Sequence, residues 1–172
     1  MFLKNIKSLL LKNSLKKQLR NVKDESLDHP VLKVGLVVDE SSFLDTKALK
    51  QEIILNGIIE DNIKIIAYRD NLKDKEVYSH PTFSLKKINL KCEFTDSGIN
   101  DFISDEFDLL INYYDEEKPI LLFVTNNSKA KFKVGFSAVD KRLNHLLINI
   151  ALADYKGFTQ ELFRYLKILN KI

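Results

Sequence analysis

The spacing of apolar positions along this chain changes several times, and each change marks a predicted element. Phe107–Tyr113 is a nearly continuous apolar run, an acidic loop follows, Pro119 opens an apolar helical stretch, and Lys131–Phe136 reads as a second strand. Strand, crossover and strand make a βαβ unit, which implies a parallel sheet covered by helices. The same order occurs earlier. Leu32–Val38 reads as a central strand, Asp45 or Thr46 can cap a helix through about Asn56 that Gly57 ends, and Ile63–Tyr68 is the next strand. Later, Leu146–Leu152 reads as a last buried strand. Phe158, Leu162, Tyr165, Leu166, Leu169 and Ile172 then recur at helical spacing.

Two stretches are less regular. From Phe83 to Phe94 the apolar residues alternate, but the phase slips by one residue at Lys86-Lys87, which predicts a bulge or a break in an edge strand that would carry Cys92. Thr95 or Ser97 can cap a short helix through Ile103. Residues 2–22 contain neither Gly nor Pro and read as a helix with two apolar stripes. Phe2, Leu3, Ile6, Leu9 and Leu10 share one face, while Leu11, Leu15, Leu19 and Val22 lie nearly opposite. Either Asn13-Ser14 breaks this helix, or its halves meet different bodies. In the second case Leu15, Leu19 and Val22 dock on the domain, and Phe2, Leu3, Ile6, Lys7, Leu10 and Lys17 are the candidate partner-binding residues. Residues 24–30 are polar and end in His-Pro, as a connection would; 69–81 form a charged loop expected to be mobile.

The expected fold is α/β: a single three-layer domain over 31–172, with about five or six mainly parallel strands, preceded by a basic amphipathic helical arm over 1–23. A chain of 172 residues with 45% hydrophobic content can bury one full core, and five Gly and three Pro leave little room for linkers. Charge adds an asymmetry to this picture. The net +3 divides into a segment 1–23 with six lysines, one arginine and no acid, and a remainder with 20 basic and 24 acidic residues. Lysines number 23 against 4 arginines, which argues against bidentate phosphate or guanine recognition. One cysteine points to a reducing, cytoplasmic setting. The short apolar core Leu9–Leu11 makes a poor signal peptide, and no run approaches the roughly 20 apolar residues of a membrane span.

Candidate chemistry is sparse. No G-x-G-x-x-G or Walker A pattern occurs, and Gly35 lies inside a strand. No cofactor is therefore expected. His29, His80 and His145 are scattered without metal-ligand spacing, so no metal is expected either, and Cys92 has no His or Asp neighbour that would make it a nucleophile. In open α/β sheets ligands bind beyond the carboxyl ends of strands. The loops there supply Asp39, Ser41, Asn112 and Asp115 as candidate ligand-binding residues. Lys129, Lys131 and Lys133 alternate, and would form an anion-facing ridge if the basic helix lay beside them.

The segments FDLLINYY, SKAKFKVGF, LNHLLINIA and ELFRYLKIL resemble a group of small bacterial proteins known only as a domain of unknown function, over most of residues 30–170. That resemblance implies a fold and no activity. The first two segments also resemble the N-terminal half of heptosyltransferase-like glycosyltransferases, whose donor site lies mainly in a second domain. From that likeness no catalytic residue carries over. The expected role is a non-enzymatic binding or adaptor module. Its basic N-terminal helix would contact a protein, RNA or an anionic membrane surface, giving a cytoplasmic or membrane-peripheral location. The alternative is a small-molecule or degenerate glycosyltransferase-like site at the carboxyl ends of the strands, and a third option is a homodimer formed through the helix.

Overall fold

A computed structural model describes residues 2–22, 29–73 and 76–172. Its centre is β1 (Val34–Asp39), buried at every position, as a strand sandwiched between two helical layers must be. On one side β1 pairs with β2 (Ile63–Tyr68), and on the other with β4 (Leu109–Tyr113); Leu36 stands in register with both Ile65 and Ile111. The sheet extends through β3 (Thr82–Phe83) at one edge and through β5 (Phe132–Phe136) to β6 (Leu146–Ile148) at the other. The order is β3-β2-β1-β4-β5-β6 and every pairing is parallel.

Alternation along the strands builds two cores. Val34, Leu36 and Val38 face Leu49 and Ile53 of α2 (Thr46–Leu55) and Phe158 and Leu162 of α5 (Tyr155–Ile168). Val37 and Leu110 face the opposite layer, made by α3 (Ser97–Ser104), α4 (Pro119–Asn127) and α1 (Phe2–Gln18). Gly35 is tolerated inside β1 because a side chain there would meet the Phe107 ring at 2.8 Å. Gly57 ends α2 at φ +103°, a left-handed conformation open to glycine without penalty.

The predicted α/β architecture is therefore present, with local departures. The phase slip at Lys86-Lys87 is a single 3-10 turn over Leu85–Lys87, capped by the Ser84 hydroxyl. Beyond it there is no continuing strand: Ile88 and Phe94 form one isolated antiparallel bridge, and Cys92 sits half-buried in a turn at φ +62°. Alternation there reflects a hairpin-like turn pressing Ile88 and Phe94 inward. The α3 cap is Asp96, whose carboxylate accepts from Gly98 N–H, in place of Thr95 or Ser97. The last strand is only Leu146–Ile148, half-exposed at an edge, and Ile150 and Leu152 pack on the core from a loop. Helix α1 runs unbroken through Asn13-Ser14. Residues 24–28 of the predicted connection, and 74–75 of the predicted charged loop, lie outside the described residues.

Candidate functional site

The chain lays down β1, β2 and β3 in one direction, then returns to build β4, β5 and β6 on the other side of β1. The loops after β1 and β4 consequently diverge at the switch point where doubly wound sheets hold ligands. In this protein that crevice is occupied by its own charges. Asp39, 1% exposed, accepts from Ser41 N–H with Oδ1 and lies 2.7 Å from Lys118 Nζ with Oδ2. Lys118, just ahead of α4, also reaches Asp70 at 3.3 Å and stands over the Tyr68 ring. Tyr68 donates to Asp70, whose own N–H donates to the Ser41 hydroxyl.

These contacts set the ionisation. Burial works against the Lys118 ammonium, but Asp39 and Asp70 outweigh it and raise its pKa. Burial and the neighbouring Asp70 push the Tyr68 hydroxyl well above the usual phenol range. Two carboxylates clamp one lysine, and a tyrosine braces them.

Beside this clamp stands a second one, built on Glu40. Its carboxylate accepts from Thr46 Oγ1 at 2.8 Å and Arg69 Nε at 2.9 Å, and lies 2.9 Å from His80 Nε2. Burial favours the neutral acid, yet the bonds from His80 and Thr46 and the pull of Arg69 prevail and hold the pKa at about 2. Ser79 Oγ lies 3.0 Å from His80 Nδ1, completing a hydroxyl–imidazole–carboxylate chain. That connectivity is the one a nucleophile relay uses. Here, however, Arg69 already compensates the carboxylate, and the chain ties the 76–81 segment to the end of β1.

Of the four residues predicted to line a ligand site, Asp39 and Ser41 meet in the crevice, and Asp115 is half-exposed beyond β4. Asn112 shares the face of Asp39 but, in register with Val37, lies deeper along the strand. Its amide donates to Asn144 and accepts from Thr125, whose hydroxyl also contacts Tyr114 at 2.6 Å, a buried polar chain beneath α4. Among the described residues no three His, Cys, Asp or Glu side chains converge as a metal set. The sequence reading missed Lys118, Thr46 and His80. Lys118 did leave one signal: a lysine at a helix N-cap opposes the dipole, so its presence there implies a nearby carboxylate.

The candidate partner-binding residues divide along α1. Leu11 and Leu15 are buried against the domain, Leu19 packs beside them, and Val22 N–H donates to Arg142 O. On the other side Phe2, Leu3 and Leu9 are 78%, 61% and 59% exposed. Ile6, Lys7 and Leu10 are half-buried, with Lys7 Nζ donating to Leu85 O, while Lys12, Lys16 and Lys17 stand in solvent. Beyond the end of α1 lies a basic groove of about 370 Å³, with Arg20, Lys129, Lys131 and Arg142 on its walls. Lys131 is paired with Asp108 and Arg142 with Asp140, and Lys133 is buried with Nζ donating to Thr125 O. The lysine alternation therefore sends Lys133 inward and leaves Lys129 outside.

Comparison with known proteins adds the family. A family model described as a family of unknown function, DUF6913, matches residues 7–169, and the chain belongs to that family. The match takes in α1 from Lys7 onward together with the whole sheet. No curated protein and no solved structure matches the chain.

Proposed function

We propose that this member of a family of unknown function is a non-catalytic interaction module whose α1 lays its free stripe on an anionic lipid surface. The observation that carries this reading is the division of one continuous helix. Leu11 and Leu15 anchor it to the domain, and Phe2, Leu3 and Leu9 are held in water beside Lys12, Lys16 and Lys17. Burying a large apolar side chain contributes about 1.5–3 kcal/mol. Each lysine near an anionic membrane adds about 1 kcal/mol. Partial insertion of three apolar residues with three lysines gives reversible binding, as interfacial helices do. No helix of the described residues is long and apolar enough to cross a membrane.

RNA is the weaker match, because it offers nothing to aliphatic Leu3 and Leu9 and the chain has few arginines. A small-molecule or glycosyltransferase-like site is also less supported, since Lys118 spans the crevice where the ligand would lie. A reducing compartment fits this reading, with one cysteine in the sequence.

The test is sedimentation of the full chain with phosphatidylcholine vesicles, with and without phosphatidylserine. Retention is expected on the anionic vesicles only, weakened by salt and lost in Phe2→Asp and Leu9→Asp, which leave the docked face intact. Retention that ignores both substitutions, or equal retention on neutral vesicles, overturns the proposal. Deleting residues 1–22 is the poorer experiment because it also strips Leu11 and Leu15 from the core.

A further inference from the structure

The sheet ends unevenly at β3. Its two residues pair with Ala67 and Tyr68, so 63–66 of β2 has no strand partner on that side among the described residues. The phase of the ladder identifies which groups are left open. Glu40 N–H donates to Tyr68 O on the β1 side, whereas Ala67 and Arg69 donate to Pro81 and Phe83 carbonyls on the β3 side. Residues of a parallel strand address its two neighbours alternately. Even-numbered residues of β2 thus bond to β1, and odd-numbered ones face outward. Ile63 N–H is satisfied by Glu60 O. The N–H and C=O of Ile65 point off the edge, with no hydrogen-bond partner among the described residues.

Among the described residues, no backbone of the chain fills this edge. Two more paired residues before Thr82 would bring His80 beside Ile65, but His80 is held by Glu40 instead. A groove of about 820 Å³ follows the open edge. One wall is Leu44, Lys47 and Lys50 at α2, the other is Asp101 and Phe102 of α3, and Tyr78–Pro81 closes the end. Unpaired strand edges are usually blunted or covered. This one is left unpaired by the described residues, at the bottom of a trough.

We propose that the β2 edge takes an extended peptide segment of another protein as an added strand, with acidic side chains toward α2 and small apolar ones toward α3. Main-chain hydrogen bonds to Ile65 supply the affinity, as in other strand additions. Charge supplies the pattern. Lys47 has no ion pair among the described residues, and Lys50 shares only the exposed Glu60. On the opposite wall Lys64 is committed to Asp105, Asp101 repels an acid, and Gly98 and the edge of the buried Phe102 leave only uncharged lining. Two rising walls admit a single strand and exclude the edge of a second folded sheet.

The probe is a labelled, end-blocked hexapeptide of alternating Glu and Val, titrated with the full chain and read by fluorescence anisotropy. Side-chain direction and amide direction share a period of two, so the Glu amides and the Val amides face opposite ways. N-methylating one set should abolish binding and N-methylating the other should leave it. Lys47→Glu, an exposed change, should weaken binding about tenfold, and an alternating Lys-Val peptide should bind at least about tenfold more weakly. Indifference to both methylation patterns, equal binding of the Lys-Val peptide, or no anisotropy change up to about 1 mM protein overturns the proposal. A dimer by light scattering, with the Ile65 amide protected from exchange, assigns the edge to a second copy and overturns it equally.

Discussion

The crevice at the carboxyl ends of the strands and the outer face of α1 use their side chains in opposite ways. In the crevice, residue types that elsewhere bind ligands are spent on one another: Lys118 answers Asp39 and Asp70, and Arg69, His80 and Thr46 answer Glu40. On α1, residue types that elsewhere fill cores stand largely in water: Phe2, Leu3 and Leu9 are all more than half exposed. What a side chain lacks is the better guide to function than what it is. A carboxylate with three donors asks nothing of a ligand, while a leucine in water still favours a partner.

The largest expected effect tests the satisfied side of this contrast. Lys118→Met strands the buried Asp39 carboxylate, and breaking a buried pair from one side costs about 3–5 kcal/mol. Chemical denaturation measures it. In a thermal-shift panel of sugar nucleotides and divalent cations, the unmodified chain should not move. A clear shift would show the crevice to be a ligand site after all, since ligands of the native state raise its stability.

Next comes the division of α1. Leu11→Ala should cost about 2–4 kcal/mol, because Leu11 is fully buried beneath the helix. Leu9→Ala should stay within about 0.5 kcal/mol. Equal costs would erase the distinction between docked and free stripes.

The Glu40 clamp gives a smaller, pH-gated effect. Its folded pKa of about 2 lies below the ordinary value of 4.5, so its stabilisation is complete above pH 4.5 and fades as pH falls toward 2. The shift corresponds to at most about 3 kcal/mol. Glu40→Gln should flatten the acid limb of the stability curve across that window, and an unchanged limb would mean that the clamp is not what holds the 76–81 segment.

The smallest effect on stability belongs to Phe2→Asp. Unfolding should move by less than about 0.5 kcal/mol, while vesicle retention is lost. That pairing of outcomes separates function from folding more sharply than any of the larger changes.

Several features were legible in the chain because their cause is local. Val34–Val38 and Leu109–Ile111 are apolar at consecutive positions, Ile63–Ile66 is interrupted by Lys64 alone, and such runs suit strands covered on both faces. Pro119 begins α4 and Gly57 ends α2 through backbone geometry that each residue carries with it. The two stripes of residues 2–22 were likewise a matter of helical period. What tertiary structure alone decided is which groups meet. Asn112 and Asp39 looked alike as polar residues near strand ends and share one face of the sheet, but the register sets Asn112 level with Val37, under α4, and leaves Asp39 at the crevice. Lys118 lies 79 positions from Asp39, and His80 lies 40 from Glu40, so neither pairing has a signature in the spacing. The open edge at Ile65 depends on β3 beginning only at Thr82, which follows from His80 being held by Glu40 and from no propensity of β2 itself. Period and caps act over a few residues, whereas partners for charge and for main-chain edges are fixed by register and packing across the whole sheet.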